Sequence, residues 1–196
     1  MKEKSHQLPP ETIGEQIVGA NGDGNILFLE EMEHTGKFNP LYTSPSERWN
    51  FLHRININSY RPAPLPTVYF YLERGVEVNA QDCYGMTPLH YAMRAENGDA
   101  ALALLEAGAN PNIPNQDNVI PLGMMGAMPH RLDVLKKMLE NGGDVHYKNG
   151  NSGMELLDLL RKYPEDLQSP NEIRKPNPKK RQGIQTAHRC NARPFS

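Results

Sequence analysis

The sequence is poor in cysteine, has no long apolar run, and carries no catalytic or metal-binding signature. Its only cysteines, Cys83 and Cys190, stand far apart in the chain. Two such residues make neither a disulfide framework nor a zinc site, and a reducing cytoplasm is the expected location. The longest apolar stretches run from Ile26 to Leu29 and from Ala100 to Leu105. A membrane-spanning helix needs about 20 such residues, so no span is expected. Met1 to Pro10 is polar, with no apolar stretch behind its lysines, which argues against a secretory leader. There is no H-E-x-x-H, no C-x-x-C, no G-x-x-x-x-G-K-S/T and no nucleophile elbow. The expectation is therefore a protein that is not an enzyme, with no metal, cofactor or small-molecule substrate. Glycine (16) and proline (17) are too few in 196 residues for disorder throughout.

What is present is unevenly charged. Residues 1–172 hold 14 Lys and Arg against 23 Asp and Glu, so 14 − 23 = −9. Residues 173–196 hold seven basic residues and no acid, giving +7. That tail is rich in proline and has few apolar side chains, so it cannot offset its ordering entropy by burial. The expected organisation is an N-terminal tail at 1–10, one folded domain at 11–163, and a basic C-terminal tail at 164–196. Lys175-Pro176-Asn177-Pro178-Lys179-Lys180-Arg181 reads either as a solubilising tail or as a nuclear-import or nucleic-acid patch. The tail's one aromatic, Phe195, gives single-stranded nucleic acid little to stack on.

The folded part repeats. Thr87-Pro88-Leu89-His90-Tyr91-Ala92 is followed by Ala100 to Leu105 and then Gly108-Ala109. Thr87 suits an N-cap and Pro88 a first helical position, where its missing N–H costs nothing. Leu89 and Ala92 share one helical face, and Leu102 and Leu105 another. Asn97-Gly98-Asp99 should break the two helices apart, with Asp99 capping the second. Gly108 suits a left-handed helix end. Ile120-Pro121-Leu122-Gly123 stands 33 residues after Thr87-Pro88-Leu89-His90. Asn50-Phe51-Leu52-His53 aligns upstream, with a four-residue insertion between Asn56 and Pro66. Met154 to Asp158 aligns downstream. Ile13 to Ala20 and Ile26 to Met32 read as a further helix pair, with Asn21-Gly22-Asp23 as its turn.

The Thr-Pro-Leu-His-x-Ala run on a period near 33 resembles the ankyrin repeat. The resemblance implies an all-α fold: an ankyrin-repeat solenoid of stacked helix pairs with short β-turn fingers. It also implies a structural role for His53 and His90, tying each turn to neighbouring backbone. The residues before the tetrapeptide form an apolar column of Trp49, Met86, Val119 and Met154. In the family this column faces a concave groove. It is either an interface strip or repeat-to-repeat core. Finger residues Glu47, Cys83, Tyr84, Gln116, Asp117, Asn151 and Ser152 extend the candidate face, as do Arg94 and Met128 at inner helix ends. Cys83 reads as an ordinary small turn residue. The implied function is non-catalytic protein binding. The chain resembles the small free-standing ankyrin proteins of bacteria, several of which are immunity proteins. The resemblance implies an immunity protein, and the acidic body fits neutralising a basic secreted toxin. The alternative is a scaffold or host-directed adaptor with a nuclear-targeting tail.

Overall fold

A computed structural model describes residues 12–58, 60–150, 153–155 and 157–158. The two tails, and the finger residues Asn151 and Ser152, lie outside the described residues.

The chain opens with α1 (Ile13–Asp23), started by a reciprocal pairing of Thr12 with Glu15, and α2 (Ile26–His34). A loop then leads to α3 (Phe51–Arg54) and α4 (Leu65–Glu73). Next come α5 (Pro88–Arg94) and α6 (Gly98–Glu106), then a 3₁₀ helix (Pro121–Ala127) and α7 (Leu132–Glu140). A two-residue hairpin closes the described part, β1 (Lys148–Asn149) against β2 (Met154–Glu155), antiparallel with Asn149 opposite Met154.

The elements stack in two rows. In the inner row α3 packs on α5 and α5 on the 3₁₀ helix; in the outer row α2 packs on α4, α4 on α6 and α6 on α7. Each helix has one apolar face and cannot stand alone, so the neighbour's burial supplies the stability. Leu52, Leu89 and Leu122 occupy the same repeat position and are all fully buried. Burying each is worth roughly 1.5–3 kcal/mol. At the N-terminal end, where the first copy lacks Thr and Pro, an aromatic cluster fills the core instead. Phe51 stacks on Tyr71 at 5.0 Å, and Phe38 meets Phe51 edge-on at 5.0 Å.

Three local expectations change. Asn97, not Asp99, caps α6, accepting the Ala100 N–H at 3.1 Å. Asp99 is exposed and pairs with Arg131 instead. Asn21-Gly22-Asp23 is not a turn: α1 runs through it and ends at Gly24, which takes the left-handed conformation (φ 69°). Asn25 then caps α2, so it is the true counterpart of Asn97. The third inner helix is 3₁₀ throughout, as expected of a segment with Gly123 and Gly126 among seven residues.

The fingers share a tight turn. The Asp82 N–H donates to the Met86 carbonyl at 2.9 Å, and the Asn115 N–H to the Val119 carbonyl at 3.0 Å. Each turn needs one left-handed residue, and the repeat position supplies Arg48 (φ 60°), Gly85 (φ 74°), Asn118 (φ 57°) and Gly153 (φ 61°). For an L-residue such as arginine that conformation costs about 1–2 kcal/mol, and glycine avoids it at about 0.5–1 kcal/mol of extra chain entropy. Arg48→Gly is therefore expected to raise stability by about 0.5 kcal/mol, read from the urea midpoint. A loss of stability would mean that the Arg48 side chain makes contacts that outweigh its backbone strain.

Candidate partner-binding face

The candidate face is built on the fingers and the inner helices. Successive fingers are joined by one backbone bond each. The Cys83 N–H donates to the Glu47 carbonyl, Gln116 to Tyr84, and Gly150 to Asn118, at 2.7–2.9 Å. The histidines anchor the same segments from below. His90 Nδ1 accepts the Thr87 N–H at 3.0 Å, and its Nε2–H donates to the Val119 carbonyl at 2.9 Å. His53 repeats this with the Asn50 N–H and with the carbonyls of Ala80 and Met86. Both rings are fully buried, and burial lowers the pKa of each, so both are neutral in the fold. The structural role expected of these histidines is the one they have.

Gly123 lacks such a ring, and the next finger fills the place. Asn149 Oδ1 accepts the Ile120 N–H at 2.9 Å, and a Cβ on Gly123 would overlap the Asn149 amide group. Glycine at 123 is thus the condition for Asn149 to enter.

The residue that organises the face is Asp82, which the sequence reading did not single out. It is 2% exposed. Its Oδ1 accepts the backbone N–H groups of Tyr84 and Met86, both at 2.8 Å, closing its own finger. Its Oδ2 accepts the Tyr91 hydroxyl at 2.6 Å and the Trp49 indole N–H at 3.0 Å. The indole N–H is also 3.0 Å from the Tyr91 oxygen, and the two rings meet edge-on at 6.2 Å. Burial, then Asp82, raises the Tyr91 pKa, keeping the phenol protonated as a donor. Asn115 does only the local half of this task, accepting from Asp117 and Val119 in its own turn.

Around this hub the predicted column is brought together. Trp49, Met86 and Val119 are each half-buried, packed below and open above. Met154 continues the row in β2; its side chain lies outside what is described. Arg94 is exposed, with its guanidinium 4.4 Å from the centre of the Tyr91 ring and 3.9 Å from the Met86 sulfur. Tyr84, Gln116 and Asp117 are exposed on the fingers, and Glu47 is half-buried, its carboxylate accepting the Ser46 hydroxyl. Two expected members differ. Met128, the C-cap of the 3₁₀ helix, is 1% exposed and its side chain belongs to the core. Cys83 is half-buried in its turn, and its thiol is not free.

Every buried side-chain nitrogen or oxygen among the described residues has a hydrogen-bond partner. Among the same residues no three His, Cys, Asp or Glu side chains are placed to hold a metal ion. No helix among them is long and apolar enough to cross a membrane.

Helix pairs stacked in one row, with fingers projecting over a side-chain-lined inner face, define a helical-repeat solenoid. The particular solenoid is the ankyrin repeat: the ankyrin-repeat family model matches residues 58–149 as three copies. An ankyrin repeat protein of Rickettsia bellii is 38% identical over 112 residues, covering 49% of this chain and 32% of the relative. The E3 ubiquitin-protein ligase KEG of Arabidopsis thaliana is 36% identical over 104 residues, covering 51% of this chain and 6% of the ligase. A transient receptor potential cation channel subfamily A member 1 homolog of Caenorhabditis elegans is 49% identical over 90 residues, covering 45% and 7%. The chain thus spans a third or less of these relatives.

Proposed function

We propose that this chain is a non-catalytic module that binds another protein through the face formed by Trp49, Met86, Val119 and Arg94. Ankyrin repeats are protein–protein interaction modules, and one observation supports this face as the contact. An indole, a thioether and a guanidinium stand on this face, supported by Asp82, Tyr91 and His53 and each still partly open to solvent. Prearranged aromatic, Met and Arg side chains are what interface hot spots are made of.

Met86 is the cleaner probe, since Trp49 is also tied into the Asp82 hub. Met86→Ser is expected to cost about 2 kcal/mol of partner affinity, as loss of an anchor does, with a stability loss near 1 kcal/mol. The partner is first captured on the full chain and identified by mass spectrometry. Titration calorimetry and urea unfolding are then run on Met86→Ser and on the outer-helix control Leu139→Ser. Unchanged affinity for the Met86 variant would refute the face.

The finer reading is an immunity protein that binds and neutralises a cognate secreted toxin. It is supported by the acid excess of residues 1–172, which would speed encounter with a basic protein. Co-expression with the toxin of a neighbouring gene should restore growth; failure to do so would leave the adaptor reading.

A further inference from the structure

The binding face carries the opposite charge character from the rest of the body. Of the six described arginines, three lie outside the face and all three are paired. Arg61 meets Asp23; Arg74 meets Glu33 at 2.5 Å and Glu30 at 3.6 Å; Arg131 meets Asp99 at 3.0 Å and Asp133 at 2.9 Å. The other three, Arg48, Arg54 and Arg94, stand on the first finger and the inner helices. All are exposed, and none has an ion-pair partner among the described residues. Arg94 lies over the Tyr91 ring and Arg54 over the Phe51 ring, with centroid distances of 4.4 and 5.6 Å. Ring faces hold a guanidinium in place while leaving its N–H groups unspent.

The acids nearby do not cancel these charges. Asp82 is buried, with both carboxylate oxygens already accepting two donors each. The Glu47 carboxylate is engaged by the Ser46 hydroxyl, which holds its pKa below the usual range, with a smaller contribution from Arg54. Asp117 stands on the next finger but one. What faces a ligand is an apolar strip of Trp49, Met86 and Val119 with guanidinium groups set among it.

We propose that the segment entering this face is an acidic-apolar stretch of protein chain, with carboxylates placed between large apolar side chains. The inference rests on the face being the binding site and names the chemistry it selects. Guanidinium forks match carboxylates in two-bond geometry, and the rings beneath keep the forks oriented. Interleaving with a thioether and an indole favours a peptide over a nucleic-acid backbone, which would call for a continuous basic track. The acid excess of the remaining surface then acts at long range on the partner as a whole, while the face reads a local acidic segment.

The test uses the full chain and three pools of fluorescein-labelled peptides. Each alternates Leu, Met or Phe with Asp and Glu, with Lys and Arg, or with Ser and Gln. By fluorescence anisotropy the acidic pool should bind tightest, and more weakly as salt is added. The Arg54→Gln/Arg94→Gln double variant should lose on the order of tenfold in affinity for the acidic pool. Arg61→Gln, off the face, should change nothing. Circular dichroism and urea unfolding establish that each variant is folded. Tighter binding of the basic pool, equal binding of all pools, binding of none, or indifference of the acidic pool to the double variant would each overturn the proposal. Met86→Ser separates the two layers. Pools that weaken with Met86→Ser but ignore the arginines leave the face standing and remove its acid preference. An acidic pool that ignores both sets of variants binds elsewhere, and the face falls with the proposal.

Discussion

Asp82→Ala is expected to cost about 3–5 kcal/mol of folding stability, the range seen when one partner of a buried charged network is removed. The carboxylate is 2% exposed and accepts four hydrogen bonds: two from its own finger, one from Tyr91 and one from Trp49 of the preceding repeat. Truncation strands the two backbone donors and the Tyr91 hydroxyl, and leaves the indole N–H only the Tyr91 oxygen. It also disconnects two repeats whose coupling sustains the stack. The series around it has a definite order. Asp82→Asn keeps an oxygen for the turn, as Asn115 does in the next finger, and should cost less than the alanine change. Tyr91→Phe deletes one donor and should cost about 1–2 kcal/mol. Because the chain has a single tryptophan, Trp49 fluorescence reports both the unfolding midpoint and, in the folded baseline, release of the indole. An Asp82→Ala cost below about 1 kcal/mol would show that these bonds exchange with water at no net loss.

What the sequence made legible follows from how each interaction is encoded. The helix pairs were readable because their signals are local: Thr87-Pro88 starts a helix, and Leu52, Leu89 and Leu122 recur at the buried position of each copy. The turn of the first pair was misplaced because Asn21-Gly22-Asp23 mimics Asn97-Gly98-Asp99 in composition. The decisive signal was the left-handed Gly24, which sends the capping task to Asn25. Trp49, Met86 and Val119 could be aligned as a column, yet whether they were core or interface depends on what lies beneath them. That is set by Asp82 and Tyr91, and an Asp in a turn reads as a solvated residue until the partners across the repeat boundary are known. Asn149 entering the place vacated at Gly123 is likewise a contact between separate copies, invisible to a one-copy motif. Net charge misleads for a related reason. Charges add along the chain but pair in space, so an acidic body can present on one face arginines with no ion-pair partner among the described residues.

Stability is also expected to fall steeply as pH drops below about 6.5, with His53 and His90 as the cause. Each is buried, donates from Nε2 to backbone carbonyls, and accepts a backbone N–H at Nδ1. A second proton on Nδ1 would break that acceptance and place a charge in a buried site. Burial accordingly lowers both folded-state pKa values below the ordinary 6.5. Above about 6.5 both histidines are neutral in the folded and the unfolded chain, so their contribution is fully present. As pH falls, the unfolded chain takes up protons first, and stability is lost until the folded-state pKa values are reached. The slope can reach about 1.4 kcal/mol per pH unit for each histidine, or about 2.7 kcal/mol for the pair. The shifted carboxylates, Glu15, Glu47 and Asp133, all have pKa values held below the usual range. They titrate at lower pH and leave the interval just below about 6.5 to the histidines. Urea midpoints measured from about pH 7.5 to about pH 5 should show this slope. His53→Gln and His90→Gln should each lower stability at about pH 7.5 and remove about half of the slope. A slope that survives both substitutions would assign the acid sensitivity to other groups. A flat profile in the unsubstituted protein would mean that the fold accommodates the protonated rings.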